Sequence, residues 1–336
     1  MKLFIPKKIY YEEDSLNYFL GKELIDKYKN MNIPMEIISS HNNIESLRKE
    51  PNSSFVKLKQ YLIIGTRKTH KYTDNHKVSD FLVPYTSSGC SAMCLYCYLV
   101  CNYNKCSYMR LFVNREQMME KLIKKASSFE DEKVFEIGSN SDLILENELT
   151  HNLEWTINEF TKQKKGKLTF PTKFDMVEPI LNLNHDGRVI VRISLNPQHI
   201  IQKAEIGTSS LKNRIEAINK LCDSGYPVGI LVAPVIFLED WEKLYTELFE
   251  EMSSSLSEKA KKNVFFEVIF MTYSYIHDKI NNDAFPNTIN IFDKNLMTGR
   301  GRGKYWYKQF IRDKGEQFFR DKFKYYFPNN EILYIV

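Results

Sequence analysis

Short runs of apolar residues alternate with amphipathic segments along most of this chain. From residue 81 onward, strand-like apolar runs begin at residues 81, 134, 168, 189, 228 and 264. Apolar residues at helical spacing lie between several of these runs, over residues 117–126, 148–163, 211–224 and 241–252. The run VIVRIS at 189–194 is mostly β-branched, as expected for a strand buried on both faces. Strands that alternate with helices predict βα units, and this pattern predicts an α/β fold with a partial (β/α)6 barrel.

The segments on either side of the predicted barrel have a different character. Residues 1–80 contain a helix-like and two strand-like segments, which predict an N-terminal α/β lead-in. Residues 275–336 become basic, aromatic and less regular, which predicts a separate C-terminal extension. The barrel would then occupy residues 81–274, with its active-site loops at the carboxyl ends of its strands.

Positive charge is concentrated in the C-terminal extension. Between Lys294 and Lys324 there are ten basic and three acidic residues, although the whole chain has a net charge of only +5. Glycines that alternate with Arg300 and Arg302 predict a hairpin, and residues 318–326 predict a short helix. Basic side chains can neutralise phosphates, and aromatic rings beside them can stack on bases. A nucleic-acid interface and a solvated helix face above core aromatics are both compatible with this pattern.

Composition limits where the protein can act. Hydrophobic residues make up 43% of the 336 residues, which is ample for a core. No stretch approaches the roughly 18–20 uninterrupted apolar residues of a membrane span. The N-terminus lacks the apolar core of a signal peptide. We therefore expect a cytoplasmic protein with no membrane partner.

Three cysteines form the most specific motif. Cys90, Cys94 and Cys97 stand in GCSAMCLYCY with the spacing C-x3-C-x2-C, and five of the six cysteines lie between residues 90 and 106. Such crowding is typical of a metal site rather than of a disulfide framework. Thiolates at these three positions can ligate three irons of a [4Fe–4S] cluster. A structural zinc site with Cys101 or Cys106 as fourth ligand, or unligated thiols, are the alternatives.

The spacing, together with an aromatic residue just before the third cysteine, resembles the radical SAM superfamily. That aromatic residue is Tyr96. The resemblance implies that the iron without a cysteine binds the amino and carboxylate groups of S-adenosylmethionine (SAM), which the reduced cluster cleaves to a 5′-deoxyadenosyl radical.

Polar residues at the predicted strand ends are candidates to hold SAM. Hydroxyl, amide and ammonium groups there could bind the ribose and the methionyl carboxylate, because the ends of barrel strands meet at one face. These candidates are Ser141, Asp142, Lys173, Ser194, Asn196 and Ala233. Each of them, taken singly, is as readily explained as a cap or turn residue.

An ordered set of short motifs resembles the spore photoproduct lyase family over nearly the whole chain. The motifs are YLIIGTRKT at 61–69, CLYCYL at 94–99, TKF at 172–174, SLN at 194–196, EIGT at 205–208, RIEA at 214–217, GYPVG at 225–229, GKY at 303–305 and YFP at 326–328. This resemblance implies repair of the thymine lesion 5-thyminyl-5,6-dihydrothymine in DNA. The 5′-deoxyadenosyl radical would remove a hydrogen atom from C6 of the lesion, and the methylene bridge would then break. Tyr96 and Tyr98 match the family's relay pair, which helps to return the radical to 5′-deoxyadenosine.

One position departs from the family pattern. The family's hydrogen-donating cysteine aligns with Ser139, or with Asn140 if the register slips by one residue. Neither replaces a thiol, since the alkyl O–H bond of serine and the amide N–H bond of asparagine are much harder to break homolytically than an S–H bond. Cys101, Cys106 and Tyr98 are the candidate substitutes. The sequence therefore allows a lyase with a relocated donor, a lyase with leaky chemistry, or a relative that acts on another DNA photoproduct or nucleic-acid base.

The resemblance also assigns partners. A lyase that acts on duplex DNA must extrude the linked bases, as base-modifying enzymes generally do. The predicted hairpin would contact UV-damaged DNA through Arg300, Arg302, Lys304 and Tyr305. We further expect an electron donor such as flavodoxin or ferredoxin, a monomer, and action in the spore core of a spore-forming bacterium. The alternative from a different class is a non-catalytic nucleic-acid-binding protein with a structural metal site.

Overall fold

A computed structural model describes residues 4–102 and 107–336, so Cys106 lies outside the described residues. The strands are β1 (Lys8–Glu12), β2 (Met35–Ile38), β3 (Tyr61–Gly65), β4 (Thr73–Asp74), β5 (Phe81–Leu82), β6 (Ser87–Ser88), β7 (Met93–Cys94), β8 (Met109–Phe112), β9 (Val134–Glu136), β10 (Lys167–Thr172), β11 (Val189–Leu195), β12 (Glu205–Ile206), β13 (Val228–Val235), β14 (Phe265–Phe270), β15 (Thr272–Ser274), β16 (Met297–Gly299), β17 (Lys304–Tyr307) and β18 (Ile332–Ile335). The helices are α1 (Phe19–Asn30), α2 (Glu45–Lys49), α3 (Phe55–Leu58), α4 (Leu99–Asn102), α5 (Arg115–Ser127), α6 (Leu143–Thr150), α7 (Asn152–Thr161), α8 (Gln198–Ala204), α9 (Leu211–Asp223), α10 (Trp241–Ser255), α11 (Glu258–Asn263), α12 (Tyr275–Ala284) and α13 (Gln309–Tyr326).

The larger sheet is the predicted partial barrel. Its strand order is β18-β14-β13-β11-β10-β9-β5-β4. The six strands from β5 to β14 are parallel to their neighbours and follow one another in chain order, with helices between most of them. The central strand β11 is buried along nearly its whole length, as its β-branched sequence predicts. The expected (β/α)6 arrangement is confirmed, with β18 added beyond β14.

A smaller sheet lies at the N-terminal side, with the order β2-β1-β3-β8-β6. Its strands β2, β1, β3 and β8 run parallel, and β6 is antiparallel to β8. Because β6 and β8 come after residue 80, the expected boundary between lead-in and barrel cuts through this sheet. The chain that carries the cysteines therefore leaves the small sheet at β6 and returns to it at β8.

One helix predicted over residues 148–163 is instead two. Helix α6 ends at Thr150 and α7 begins at Asn152, because His151 adopts a left-handed conformation with φ of 52°. The side chain of Asn147 then accepts hydrogen bonds from the first N–H groups of α7, at 3.0 Å from Leu153 and 3.2 Å from Glu154. These bonds satisfy N–H groups that lack partners within the helix.

The C-terminal extension is continuous with the barrel core. The short helix predicted at 318–326 is the 18-residue α13, whose periodicity is hidden by exposed aromatics such as Phe310. Phe319 and Phe323 of this helix are buried, and Phe323 packs at 4.6 Å from the ring of Phe266 in β14. Across the described ranges, none of the helices combines the length and the hydropathy that a membrane crossing needs.

Candidate active site

A cleft of about 620 Å³ opens at the carboxyl ends of the barrel strands. Its volume lies in the range of small-molecule and cofactor sites, and its place is the one where barrel enzymes carry their active sites. Eleven of the predicted site residues line it together: Cys90, Cys94, Cys97, Tyr96, Tyr98, Ser139, Ser141, Asp142, Lys173, Ser194 and Ala233.

The cysteine loop is fixed at both of its ends. Gly89 has a φ of +78°, and a Cβ there would lie 2.1 Å from the carbonyl oxygen of Tyr108, so only glycine fits before Cys90. The N–H of Cys90 donates to the carbonyl of Ser107 at 3.2 Å. At the other end, Cys94 pairs with Glu205 in an antiparallel ribbon of β7 and β12.

The three thiols of the motif line the cleft together. All three are free, and burial raises the pKa of Cys90 to about 12 and that of Cys94 higher still. The charge of Cys97 adds to both increases, which places the three sulfurs within electrostatic reach of one another. Ligation would therefore release protons from buried thiols. Among the described residues, no three Cys, His, Asp or Glu side chains converge to hold a single metal ion.

A buried ionic network lies beneath the part of the cleft wall that Lys173, Ser194 and Ala233 line. The ammonium of Lys173 donates to the hydroxyl of Ser194 at 2.7 Å, to the carbonyl of Ala233 at 2.8 Å and to Glu205 at 3.1 Å. The second oxygen of Glu205 accepts from Arg214 at 2.6 Å. Although burial opposes its ionisation, Lys173 and Arg214 lower the pKa of Glu205 from 4.5 to about 2.

Glu205 is the site residue that the sequence reasoning missed. Its carboxylate is fully buried, so it contacts no bound molecule directly. It instead fixes Lys173, and it also accepts a hydrogen bond from the hydroxyl of Tyr96. The motif EIGT at 205–208 was the available signal, but nothing in a sequence says which acidic residue lies under a lysine.

Asn196 does not face the cleft, although it follows a barrel strand and was predicted to do so. Its side chain is fully buried and does not line the cleft. The amide donates to Glu205 at 2.8 Å and to the carbonyl of Pro234 at 3.1 Å, and its oxygen accepts from Tyr245 at 3.1 Å. The prediction that Asn196 binds the cofactor gains no support from this position, because these three bonds hold its side chain toward Glu205.

Asp142 and Ser141 lie at the rim of the cleft, between β9 and α6. Asp142 caps α6 through the N–H of Leu145 at 3.3 Å, and it accepts from the hydroxyl of Thr172 at 2.8 Å and the N–H of Lys173 at 2.9 Å. Its carboxylate thus ties the start of α6 to the end of β10. The Ser141 hydroxyl lies 2.8 Å from that of Ser87 and lines the cleft.

The two tyrosines of the predicted relay have different environments. Tyr96 is bound to Glu205, and burial raises its pKa well above the usual value. Tyr98 is 49% exposed, lines the cleft and donates a hydrogen bond from its hydroxyl to the backbone carbonyl of Ser139. The phenol of Tyr98 therefore lies beside Ser139, one of the two positions with which the resemblance aligns the family's donor cysteine.

Cys101 lies behind the cluster loop rather than in the cleft. Its sulfur is 3.2 Å from the Ser274 hydroxyl and 3.5 Å from Nε2 of His277, and the same nitrogen is 3.1 Å from the carbonyl oxygen of Cys97. The residue packs within a second hydrophobic cluster and does not line the cleft. The prediction of Cys101 as donor gains no support from this position, and the prediction for Cys106 falls outside the described residues.

The predicted hairpin is formed by β16 and β17, with Arg300, Arg302 and Lys304 exposed at its turn. Arg302 has a φ of 51°, and the guanidinium of Arg300 lies 4.5 Å from the centre of the Trp306 ring. Strand β17 also pairs with β15, whose Thr272 lines the cleft. The hairpin is thus attached at the rim of the cleft, and Tyr305, which pairs with Gly299 beside the turn, is half-buried.

Comparison with known proteins decides the family. The family described as spore photoproduct lyase matches residues 4–336. The chain belongs to the spore photoproduct lyase family. It is 33% identical over 337 residues to spore photoproduct lyase of Bacillus subtilis (strain 168), with 98% of both chains covered.

Solved structures of spore photoproduct lyase have the same fold. One is complexed with dinucleoside spore photoproduct and superposes with a TM-score of 0.92 at 29% identity over the whole of both chains. A doubly substituted variant with bound AdoMet and dinucleoside spore photoproduct gives the same TM-score and identity. The predicted family and barrel are confirmed, and so is the use of SAM with a [4Fe–4S] cluster, which the family implies.

Proposed function

We propose that this chain reverts the spore photoproduct to two thymines in DNA. The observation that carries the proposal is the single cleft that joins the three cysteines to the Lys173 network and Tyr98. The family membership and the relatives that bind dinucleoside spore photoproduct support the choice of substrate. When bound, the cluster and SAM supply a 5′-deoxyadenosyl radical, which abstracts a hydrogen atom from the lesion.

The residues of the chain would bind the cluster and SAM. Cys90, Cys94 and Cys97 hold the cluster. Lys173 presents a cation toward the carboxylate of SAM, and Ser194 with the carbonyl of Ala233 keeps that cation in place. Because Lys173 is already fixed before SAM binds, little side-chain entropy is lost on binding.

Tyr98 is the donor that best replaces the family cysteine. Cleavage of the methylene bridge leaves a carbon radical on one thymine, which needs one hydrogen atom to become a methyl group. The O–H bond of Tyr98 breaks homolytically, its hydrogen atom forms the new C–H bond, and a phenoxyl radical remains on Tyr98. Among the described residues, the thiols that line the cleft are those of the three cluster cysteines, whereas Tyr98 lines it beside Ser139.

The lesion-repair assay tests this function. The reconstituted, reduced enzyme is incubated with a dinucleotide that carries the lesion, in H2O and in D2O, and the products are separated by mass. We expect thymidylyl-thymidine with one deuterium from D2O in a methyl group, because a phenol exchanges its proton with solvent. SAM cleavage without repair would refute the proposed substrate and favour another photoproduct or base.

The Tyr98→Phe variant tests the donor separately. It should still consume SAM but give adducts of the uncapped radical and lose SAM regeneration. Tyr325→Phe is the matched control, since Tyr325 is 78% exposed on α13, outside the cleft lining. Unchanged products from Tyr98→Phe would assign the donor role to another group.

The cellular setting is proposed on the same basis. Reduction of the cluster requires a one-electron donor of low potential, for which flavodoxin or ferredoxin is suitable. The substrate places the enzyme in the spore core, and the relatives of Bacillus and Clostridium fit this setting. We propose that the enzyme acts as a monomer, since one chain brings every proposed active-site group into one cleft.

A further inference from the structure

A buried lysine supports the cysteine loop from behind. Lys59 follows α3 and is only 2% exposed. Its ammonium donates to the carbonyl of Cys90 at 2.7 Å, and to the hydroxyl and carbonyl of Ser107 at 2.9 Å and 3.2 Å. It thereby binds the first cysteine of the cluster motif to the far end of the same loop.

All three of these acceptors are neutral. Among the described residues, no carboxylate lies within ion-pair distance of Lys59, although the nearby Lys57 contacts Glu50 at 4.0 Å. A lysine is almost never fully buried without an acidic partner, because removing the ammonium from water is costly. The fold therefore holds a positive charge against the cysteine loop without a protein anion to balance it.

We infer that Lys59 is a positioning residue whose charge balances that of the iron–sulfur cluster and favours its reduced state. The inference rests on the proposed function, which places a cluster on Cys90. Three thiolates make such a cluster anionic, and reduction adds one further electron. A fixed cation in a site of low dielectric stabilises the more negative state, so it raises the reduction potential. The reduced state is the one that transfers an electron to SAM, so the charge of Lys59 would increase the fraction of clusters that are ready to react.

The test separates charge from hydrogen bonding. The wild-type chain and the variants Lys59→Gln, Lys59→Met and Lys59→Arg are reconstituted anaerobically, and the midpoint potential is measured by redox titration with electron paramagnetic resonance. Glutamine keeps a neutral donor toward the Cys90 carbonyl, whereas arginine keeps the charge. Lys57→Met is the matched control, because Lys57 lies in α3 two residues before Lys59 and is 61% exposed.

We expect lower midpoint potentials for the glutamine and methionine variants and a potential near that of wild type for the arginine variant and the Lys57→Met control. At a fixed poise near the wild-type midpoint, the reduced fraction should then fall several-fold in Lys59→Gln. A wild-type potential in Lys59→Gln, with normal iron and sulfide content, would overturn the inference and leave the proposed function intact. A wild-type chain that loads no cluster would overturn both.

Discussion

Replacing Glu205 with glutamine should lower the free energy of unfolding by about 3 kcal/mol near neutral pH. The pKa of this carboxyl falls from 4.5 to about 2 in the folded chain, and each pKa unit corresponds to about 1.4 kcal/mol. Breaking a buried ion pair by removing one partner costs about 3–5 kcal/mol, which agrees in size. Lys173 and Arg214 would lose the anion that both of them contact.

The pH dependence of this loss identifies its cause. Because the pKa of Glu205 is depressed in the folded state, its stabilisation is present above the unfolded pKa of 4.5 and is lost as the pH falls toward 2. The difference between wild type and Glu205→Gln should therefore be constant from about pH 8 to pH 6 and about 1 kcal/mol smaller near pH 3.5.

Urea denaturation of the iron-free chain, followed by circular dichroism, measures both quantities. Glu178→Gln is the matched control, since Glu178 is 59% exposed and pairs with Lys220 on the surface. Its effect should stay below about 1 kcal/mol. A difference for Glu205→Gln as small as that of the control, or one that does not shrink in acid, would refute the assigned network.

Three further substitutions test the site. Cys90→Ala should lower the iron and sulfide content after reconstitution and abolish dithionite-dependent cleavage of SAM; retained turnover would exclude Cys90 as a ligand. Lys173→Met should raise the Kd for SAM by roughly 10-fold or more, since a hydrogen bond to a charged group contributes about 1.5–3 kcal/mol, and an unchanged Kd in equilibrium dialysis would contradict this role. Arg300→Gln combined with Lys304→Gln should weaken the binding of duplex DNA and lower the slope of log affinity against log salt concentration by the equivalent of about two phosphate contacts. An unaltered slope in fluorescence anisotropy would show that the hairpin does not contact DNA.

The periodicity of the chain predicts the barrel because each strand carries its own local signal. The run at 189–194 is buried on both faces and so is apolar at four of its six positions. The break at His151 carries no such signal, because it depends on one residue in a left-handed conformation. Helix α13 was predicted nine residues too short for a related reason, since exposed aromatics such as Phe310 obscure its buried face.

The sequence predicted those active-site residues that a motif or a strand end identifies, but not those that act through contacts with other residues. The spacing of the cysteines requires no knowledge of the fold, and eleven residues of the cleft lining were predicted from this motif, from strand ends or from the family resemblance. Glu205 and Lys59 act through other residues, and their roles depend on contacts between segments far apart in the chain. The contacts of Asn196 were not predictable either, because a strand-end position does not determine which neighbour its side chain will bind.

The short ribbon of β7 and β12 makes the two cofactors of the cleft thermodynamically linked. In this ribbon Cys94 and Glu205 are register partners, so whatever orders the cysteine loop also orders the carboxylate that fixes Lys173. Iron in the loop should then tighten the binding of SAM. Because linkage is reciprocal, bound SAM must in turn strengthen the binding of iron. Chelators should then remove less iron from the protein when SAM is present. Bound SAM would thus protect the oxygen-sensitive iron–sulfur cluster that cleaves it.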